Sequence, residues 1–382
     1  MEVFTLLVAF AALIVAITAL VTAKRTPLSP PNVSAVAHTE TPSPPPGPPA
    51  LVVNPTKVDD IEAFRRLAMR VATQCQLPPP LWFETTVAQP GEAQAREAVA
   101  QGASVIVAVG GDGTVRQVAA ALVNTGVPLA LVPMGTGNLL ARNLKIPLGS
   151  TAELIAAAFT GRDALIDVGW LRAAPLTPSE ARAVAASRRF RDLTNAGANV
   201  PQANIDEKHI FLVIAGLGFD AAIVAGANDG LKERIGWLAY SLTAVKHLTG
   251  RRIEARMWMG DETTPDQLRA RTIMFANCGR LPGGVTLLPD ARLDDGWMDV
   301  ATIDATGGLV GWLSVAGTVL LQGIGVRRKA IEVDPGTIDF RRCRRVKIYT
   351  RYPEAVQVDG DLVGISRQIV ARIEPGALLV RS

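Results

Sequence analysis

Two periodicities divide the chain. From Ala50 to Leu144, short apolar runs alternate with stretches in which apolar positions recur every three or four residues. Ala50–Val53, Leu81–Thr86, Ala103–Val109 and Val127–Val132 read as strands. The stretch holding Ile61, Phe64, Leu67 and Met69, then Gln94–Gln101, Val115–Val123 and Leu139–Leu144, read as helices. That alternation predicts an α/β domain with a mostly parallel sheet covered on both faces and ligands at the strand carboxyl ends. From His209 onward the runs are short and β-like: Ile210–Ala215, Arg252–Met259, Thr272–Asn277, Trp297–Ile303, Val346–Thr350, Glu354–Val358 and Gln368–Ile373. They predict a β-sandwich or barrel. The α/β domain is expected over 50–167 and the β-rich domain over 168–382, the C-terminal segment being able to pack back on the first. Two helices are expected to interrupt the β-rich part. One is Asp220–Leu248, with Lys232, Gly236 and Tyr240 on one face; the other is Gly308–Val326, an uncharged run whose glycines favour packing or surface docking over a membrane span. Ala173–Asn204 shows no clear period and is expected to be a mobile insertion.

The N-terminal pattern is different again. Val3 to Ala23 carries no charge, and at 1.5 Å rise per residue it spans roughly the ~30 Å hydrocarbon core. It predicts a single transmembrane helix within residues 1–25. Glu2 precedes it and Lys24 and Arg25 follow, so the positive-inside bias places the rest of the chain in the cytoplasm. The alternative is a cleaved signal peptide, but the segment lacks a basic leading region and is longer than a usual h-region. Between Thr26 and Pro49 nine of 24 residues are proline, which predicts an extended linker.

Composition adds less. The hydrophobic fraction of 48% fits an anchored protein. The net charge of +4 argues against a dedicated nucleic-acid binder. Basic clusters at Arg188–Arg191, Arg327–Lys329 and Arg341–Arg345 either meet anionic lipid or stay solvated. Cys75, Cys278 and Cys343 are scattered and odd in number, so no disulfide framework is expected, and the three histidines show no zinc-ligand spacing.

The candidate chemistry sits where apolar runs stop. The run ending at Val109 gives way to Gly110-Gly111-Asp112-Gly113-Thr114, and helical spacing resumes at Val115. Glycines between a strand end and a helix start let the backbone approach a phosphate, and a helix N-terminus favours anions. Asp112 would repel phosphates directly, so it should act through a metal ion, a water or a hydroxyl that loses its proton. Pro133-Met134-Gly135-Thr136-Gly137-Asn138 breaks the next strand in the same way. Asp359 and Asp361 stand two apart, which on an extended strand would put both carboxylates on one face for proton abstraction and metal organisation. A solvated Asp-Gly-Asp turn is the alternative. Asp290, Asp294, Asp295 and Asp299 crowd one loop.

These motifs, with Asn54-Pro55, Gly216-Leu217-Gly218-Phe219-Asp220-Ala221, Leu288-Pro289-Asp290-Ala291 and Val358-Asp359-Gly360-Asp361, resemble the diacylglycerol kinase catalytic-domain family. That family includes bacterial lipid kinases and sphingosine kinases, and NAD kinases share its GGDGT turn. The resemblance runs from about Ala50 to the C-terminus. It implies ATP in a cleft between an α/β domain and a β-sandwich, with transfer of the terminal phosphate to a lipid hydroxyl, diacylglycerol foremost. It places Asn54, Pro55, Thr86, Gly110, Gly111, Asp112, Gly113, Thr114, Gly135, Thr136 and Asn138 at the nucleotide. Asp361 is then the expected base, with Asp359 and Asp112 assisting. The acidic loop becomes a structural Mg²⁺ site, Asp295 giving a carboxylate and Arg292 and Trp297 their carbonyls. Three departures stand out: Asp361 where glutamate is usual, Arg116-Gln117 in place of Asn-Glu, and Leu139 in place of an aspartate. The partners expected are a membrane lipid and the bilayer, with a homodimer allowed. The alternatives are a kinase of a sphingoid base or other lipid alcohol, an NAD kinase, or a non-catalytic nucleotide or lipid sensor.

Overall fold

A computed structural model of the protein describes residues 47–146, 149–187, 208–218, 252–280, 288, 290–305 and 336–382. The anchor at Val3–Ala23, most of the proline-rich linker, the helices expected at Asp220–Leu248 and Gly308–Val326, and the basic clusters 188–191 and 327–329 lie outside the described residues. No helix among the described residues is long and apolar enough to cross a membrane.

The first half is a parallel sheet in the order β2 (Leu81–Glu84), β1 (Pro49–Val53), β3 (Val105–Gly110), β4 (Leu129–Pro133). Neighbouring side chains on a strand enter opposite cores, as the period of two demands. Ala50, Val52, Ile106 and Ala108 pack on one face with Val118, Ala119 and Leu122. Leu51, Val53, Val105 and Val107 pack on the other with Phe64, Val71, Ile155 and Phe159. The helices supplying these contacts are α1 (Ile61–Gln74), α2 (Glu92–Ala100), α3 (Asp112–Leu122), α4 (Leu139–Asn143) and α5 (Thr151–Thr160). The last was not anticipated, although Ser150 and Glu153 form a capping box at its start.

The second half is antiparallel and continues the same hydrogen-bonded sheet. β14 (Asp361–Arg381) joins the two halves: Val380 and Arg381 pair in parallel with Leu129 and Ala130 of β4, while residues further back pair with β5 (Asp163–Ala173) and β13 (Arg345–Val358). The register slips between Glu374 and Leu378, around Pro375-Gly376, an irregularity of the kind that bends a strand. β13 then borders β7 (Ile214–Leu217) and β8 (Ile253–Met259); β8 carries the edge strand β9 (Asp266–Ala270), and β7 is followed outward by β10 (Thr272–Ala276), β11 (Met298–Ala305) and β12 (Gly336–Cys343). The short β6 (His209–Phe211) pairs with β5.

Two expectations are corrected. Ala173 ends β5, and Pro178–Ala186 forms a helix, α6, so the described part of the supposed mobile insertion is ordered. Thr177 and Glu180 cap α6, and Glu180 also pairs with Arg367 at 2.5 Å. The helix has no buried residue, so it carries no apolar stripe for a periodicity argument to find. Likewise Val346–Thr350 and Glu354–Val358 are one strand with an irregularity between Tyr349 and Glu354.

Candidate active site

β3 and β4 are parallel neighbours with Gly110 opposite Pro133, so both glycine turns leave the same end of the sheet. They meet backbone to backbone. A Cβ on Gly135 would lie 2.8 Å from the Gly111 Cα, and one on Gly137 would lie 2.6 Å from Asp112 Oδ2. Any side chain at either position would separate the turns. Gly111 caps α3 without a side-chain bond, which leaves first-turn N–H groups for an anion.

Polar side chains fasten this cradle. Asn54 Nδ2 donates to Thr114 Oγ1 at 3.4 Å, and Asn54 Oδ1 accepts from the Thr56 N–H at 3.1 Å. Pro55 opens the single 3-10 turn that follows. Asn138, in the left-handed region at φ 46°, exchanges two bonds with Gly135 and so closes its own turn. Gly113 and Thr136 are exposed between these fixed points. The Thr86 hydroxyl accepts from the Gln89 N–H at 3.0 Å and closes a turn after β2.

Asp112 Oδ1 accepts from the Leu139 N–H at 2.6 Å, so this carboxylate joins one glycine turn to the helix that follows the other. Burial, chiefly, raises its pKa to about 6; the nearby Asp359 adds to the rise, and backbone N–H groups oppose it.

The acids at 359 and 361 do not share a strand face. Val358 pairs with Asp361, and Asp359 (φ 46°) and Gly360 (φ 91°) form the two-residue turn between β13 and β14. An Asp-Gly pair with both φ positive is the favoured hairpin connection, so turn chemistry overrides the extended reading. The two carboxylates therefore diverge. That of Asp359 turns inward and accepts from the Leu212, Val213 and Ile214 N–H groups, each at 2.9 Å. Burial raises its pKa, although Arg116 and those three amides pull the other way. With its oxygens occupied, Asp359 positions the hairpin and is removed from the expected proton-handling pair. The Asp361 side chain remains 58% exposed, and its Oδ2 lies 3.8 Å from where a Cβ on Gly113 would be.

Arg116 holds the hairpin there. It is buried one turn into α3; Nη1 donates to the Val358 carbonyl and Nη2 to Asp361 Oδ2, both at 2.6 Å. These bonds cross 242 and 245 positions of sequence. Arg116 was visible in the sequence only as a departure from Asn-Glu, with no role attached.

The acidic loop is organised differently from the expected metal site. Asp167 accepts from the Gly296 N–H at 2.6 Å and the Gly376 N–H at 2.8 Å, clasping the loop to the bend in β14. Burial raises the Asp167 pKa against those two bonds. Asp295 Oδ1 accepts from the Trp297 N–H at 3.1 Å, and its Oδ2 is taken by Arg342, whose Nε also lies 3.2 Å from Asp299. A divalent ion on Asp295 would have to displace that guanidinium. Arg292 pairs with Asp294 through its side chain, and the Trp297 ring lies under Arg344. No group of three His, Cys, Asp or Glu residues among those described is arranged to hold a metal. We assign no ion to this loop.

Comparison with known proteins matches two families to the chain in succession. Residues 50–171 match the diacylglycerol kinase catalytic domain, and residues 213–382 match the YegS C-terminal NAD kinase beta sandwich-like domain. A Pseudomonas fluorescens protein named "Probable lipid kinase YegS-like" is 30% identical over 300 residues, covering 76% of this chain and 82% of the relative. A Pseudomonas aeruginosa protein of the same name is 28% identical over 326 residues, 84% of this chain and 85% of the relative. A solved structure described as a diacylglycerol kinase from Bacillus anthracis str. Sterne shares the fold at TM-score 0.58 and 16% identity, covering 87% of this chain and 96% of that one. With two touching glycine turns and both halves of the chain matched in order, the protein belongs to the YegS-like lipid kinases, built from a diacylglycerol kinase catalytic domain and a YegS-type β-sandwich domain.

Proposed function

We propose that the protein transfers the terminal phosphate of ATP to the hydroxyl of a membrane lipid, with diacylglycerol as acceptor and phosphatidic acid as product. The observation that carries this reading is Arg116 holding Asp361 beside the glycine cradle. A half-exposed carboxylate next to a phosphate-binding turn is placed to take the proton of an attacking alcohol. The glycine turns and the α3 N-terminus bind the donor phosphates. Asp112 and Asp361 are hard oxygen donors that suit magnesium, which when bound with ATP neutralises charge on the transferring group. Asp112 fixes the spacing of the two turns, and Asp359 fixes the hairpin that presents Asp361. Phosphoryl transfer asks mainly for positioning and charge neutralisation, and this chain's residues supply both.

The reading of Val3–Ala23 as a single-pass anchor, with the kinase on the cytoplasmic side, belongs to the same proposal and rests on sequence alone. A substrate confined to the bilayer favours an enzyme tethered there, because tethering raises effective concentration.

The test is incubation of the full chain with labelled ATP and Mg²⁺ against detergent-dispersed diacylglycerol, a sphingoid base, and NAD, in parallel with Asp361→Asn. Label in phosphatidic acid, lost in the variant, is the expected result. Label in the sphingoid base alone would change the acceptor, label in NADP would change the class, and no label in any acceptor would sink the kinase reading.

A further inference from the structure

Far from the Asp359-Gly360 turn, the same two strands build a cationic face. On β8, Ile253, Ala255, Met257 and Met259 are buried, so Glu254, Arg256 and Trp258 point the other way. On β13, Val346, Ile348 and Thr350 are buried, leaving Arg345, Lys347, Tyr349 and Arg351 on that outer side. Register places Lys347 opposite Trp258, Tyr349 opposite Arg256, Arg269 of β9 opposite Glu254, and Arg372 of β14 opposite Arg345. One sheet face of four strands thus carries Arg256, Arg269, Arg345, Lys347, Arg351 and Arg372.

Acids only partly offset them. Glu254 meets Arg351 at 2.8 Å and Arg269 at 3.8 Å, and Glu374 meets Arg372 at 3.1 Å. Glu180 takes Arg367, beside the face. Among the described residues no carboxylate pairs with Arg256, Arg345 or Lys347. Aromatic rings hold two of them instead: Arg256 lies 5.5 Å from the Tyr349 centroid, and Lys347 lies 5.5 Å from that of Trp258. A ring orients a cation without cancelling its charge. Arg256, Arg269, Arg351 and Arg367 line an open groove of 720 Å³ here, with Glu254 the one carboxylate among its lining residues.

We propose that this outer face of β9, β8, β13 and β14 docks on the headgroups of an anionic bilayer. Charge complementarity names the partner: near-surface Lys and Arg are each drawn to anionic lipid, and their attractions add. The aromatic residues agree, because Trp and Tyr settle at the headgroup level, and Tyr352, beside the face, is 44% exposed. The choice of lipid over another polyanion rests on the lipid-kinase reading; the surface itself does not. Vesicle partition needs neither ATP nor an acceptor, so failure of the docking proposal and failure of the kinase reading are read by separate measurements.

The experiment is co-sedimentation of the full chain with phosphatidylcholine vesicles and with vesicles containing phosphatidylglycerol. The apolar stretch 3–23 acts in both, so the readout is the ratio between compositions. Wild type should prefer the anionic vesicles by about tenfold or more, and high salt should erase the preference. The triple variant Arg256→Glu, Arg345→Glu, Lys347→Glu should lose the preference and keep phosphorylating detergent-dispersed diacylglycerol. Arg256→Gln with Lys347→Gln, a milder pair, should lose part of it and guards against misfolding of the triple. Equal partition of wild type between compositions would overturn the proposal, as would an unchanged preference in the folded variants. Tighter binding to duplex DNA than to anionic vesicles, abolished by the same substitutions, would reassign the face to nucleic acid.

Discussion

The two ends of the β13–β14 ribbon make opposite use of charge. At the turn, Asp359 and Asp361 diverge around one buried arginine, and each carboxylate has a dedicated partner. At the far end, several cations stand on the solvent side of the same strands, some over aromatic rings and three with no acid partner among the described residues. The turn end is built by convergence of distant segments, and its geometry is sensitive to single atoms. The far end is built by simple alternation, and its effect is a sum over many exposed charges. Substitutions should therefore act steeply and individually at the first and weakly and additively at the second.

The largest effect is expected from Asp361→Asn, which removes the proposed base while keeping its shape: kcat should fall by about 10²–10⁴ with the lipid KM nearly unchanged. Asp359→Asn should not behave the same way. It should lower the thermal midpoint while leaving measurable turnover, because its carboxylate holds backbone rather than substrate. Equal kinetic losses in both variants would erase the distinction between them.

Arg116→Met comes next. Truncating the clasp frees the hairpin and leaves Asp361 without its cation, and turnover should drop roughly 10–100-fold as positioning is lost. The loss should fall on kcat with KM for ATP and lipid nearly unchanged, whereas a purely structural role would lower the thermal midpoint with kcat per folded enzyme preserved.

Asp112→Asn should separate function from stability. A pKa raised to about 6 means the folded state resists ionising this group. Its contribution is fully favourable below the unfolded carboxylate pKa and is lost as pH rises through about 6. The asparagine variant should thus gain on the order of 1–3 kcal/mol at pH near 8, with the gain vanishing towards pH near 4, while phosphoryl transfer collapses. Chemical denaturation at both pH values measures it.

Arg342→Gln is expected to cost roughly 1–3 kcal/mol, because Asp295 and the buried Asp299 lose their shared cation. Burial already raises the Asp299 pKa to about 6 against the pull of Arg342. The variant's thermal midpoint should respond to added Mg²⁺, and that of the wild type should not. The smallest effect is reserved for the far end: its triple charge reversal should leave micellar turnover within about twofold while changing vesicle partition, since exposed charges contribute little to folding.

Much of the nucleotide side is legible in the sequence because it is local. A β-branched strand, a glycine turn and an amphipathic helix are written in consecutive residues, and Gly110–Thr114 and Gly135–Asn138 occur where the period changes. The acceptor side is legible only as a list of acids. The sequence reading favoured Asp359 and Asp361 as neighbours on one strand over an Asp-Gly-Asp turn; the turn forms, and it is a hairpin with Asp359 facing inward rather than solvated. The loop around Asp295 was read by resemblance as a metal site of one carboxylate and two carbonyls, and the arginine that takes the Asp295 carboxylate stands 47 positions away.

By itself the sequence determined the alternation of strand and helix and the two glycine turns, since propensity, spacing and turn chemistry act over a few residues. The tertiary structure alone decided which charges meet: Arg116 with Asp361, Asp359 with three amides, Asp167 with two loops, and the cations of β8, β9, β13 and β14 on one face. Charge pairing depends on distance in space, and a sheet that returns on itself brings together residues that no local rule relates.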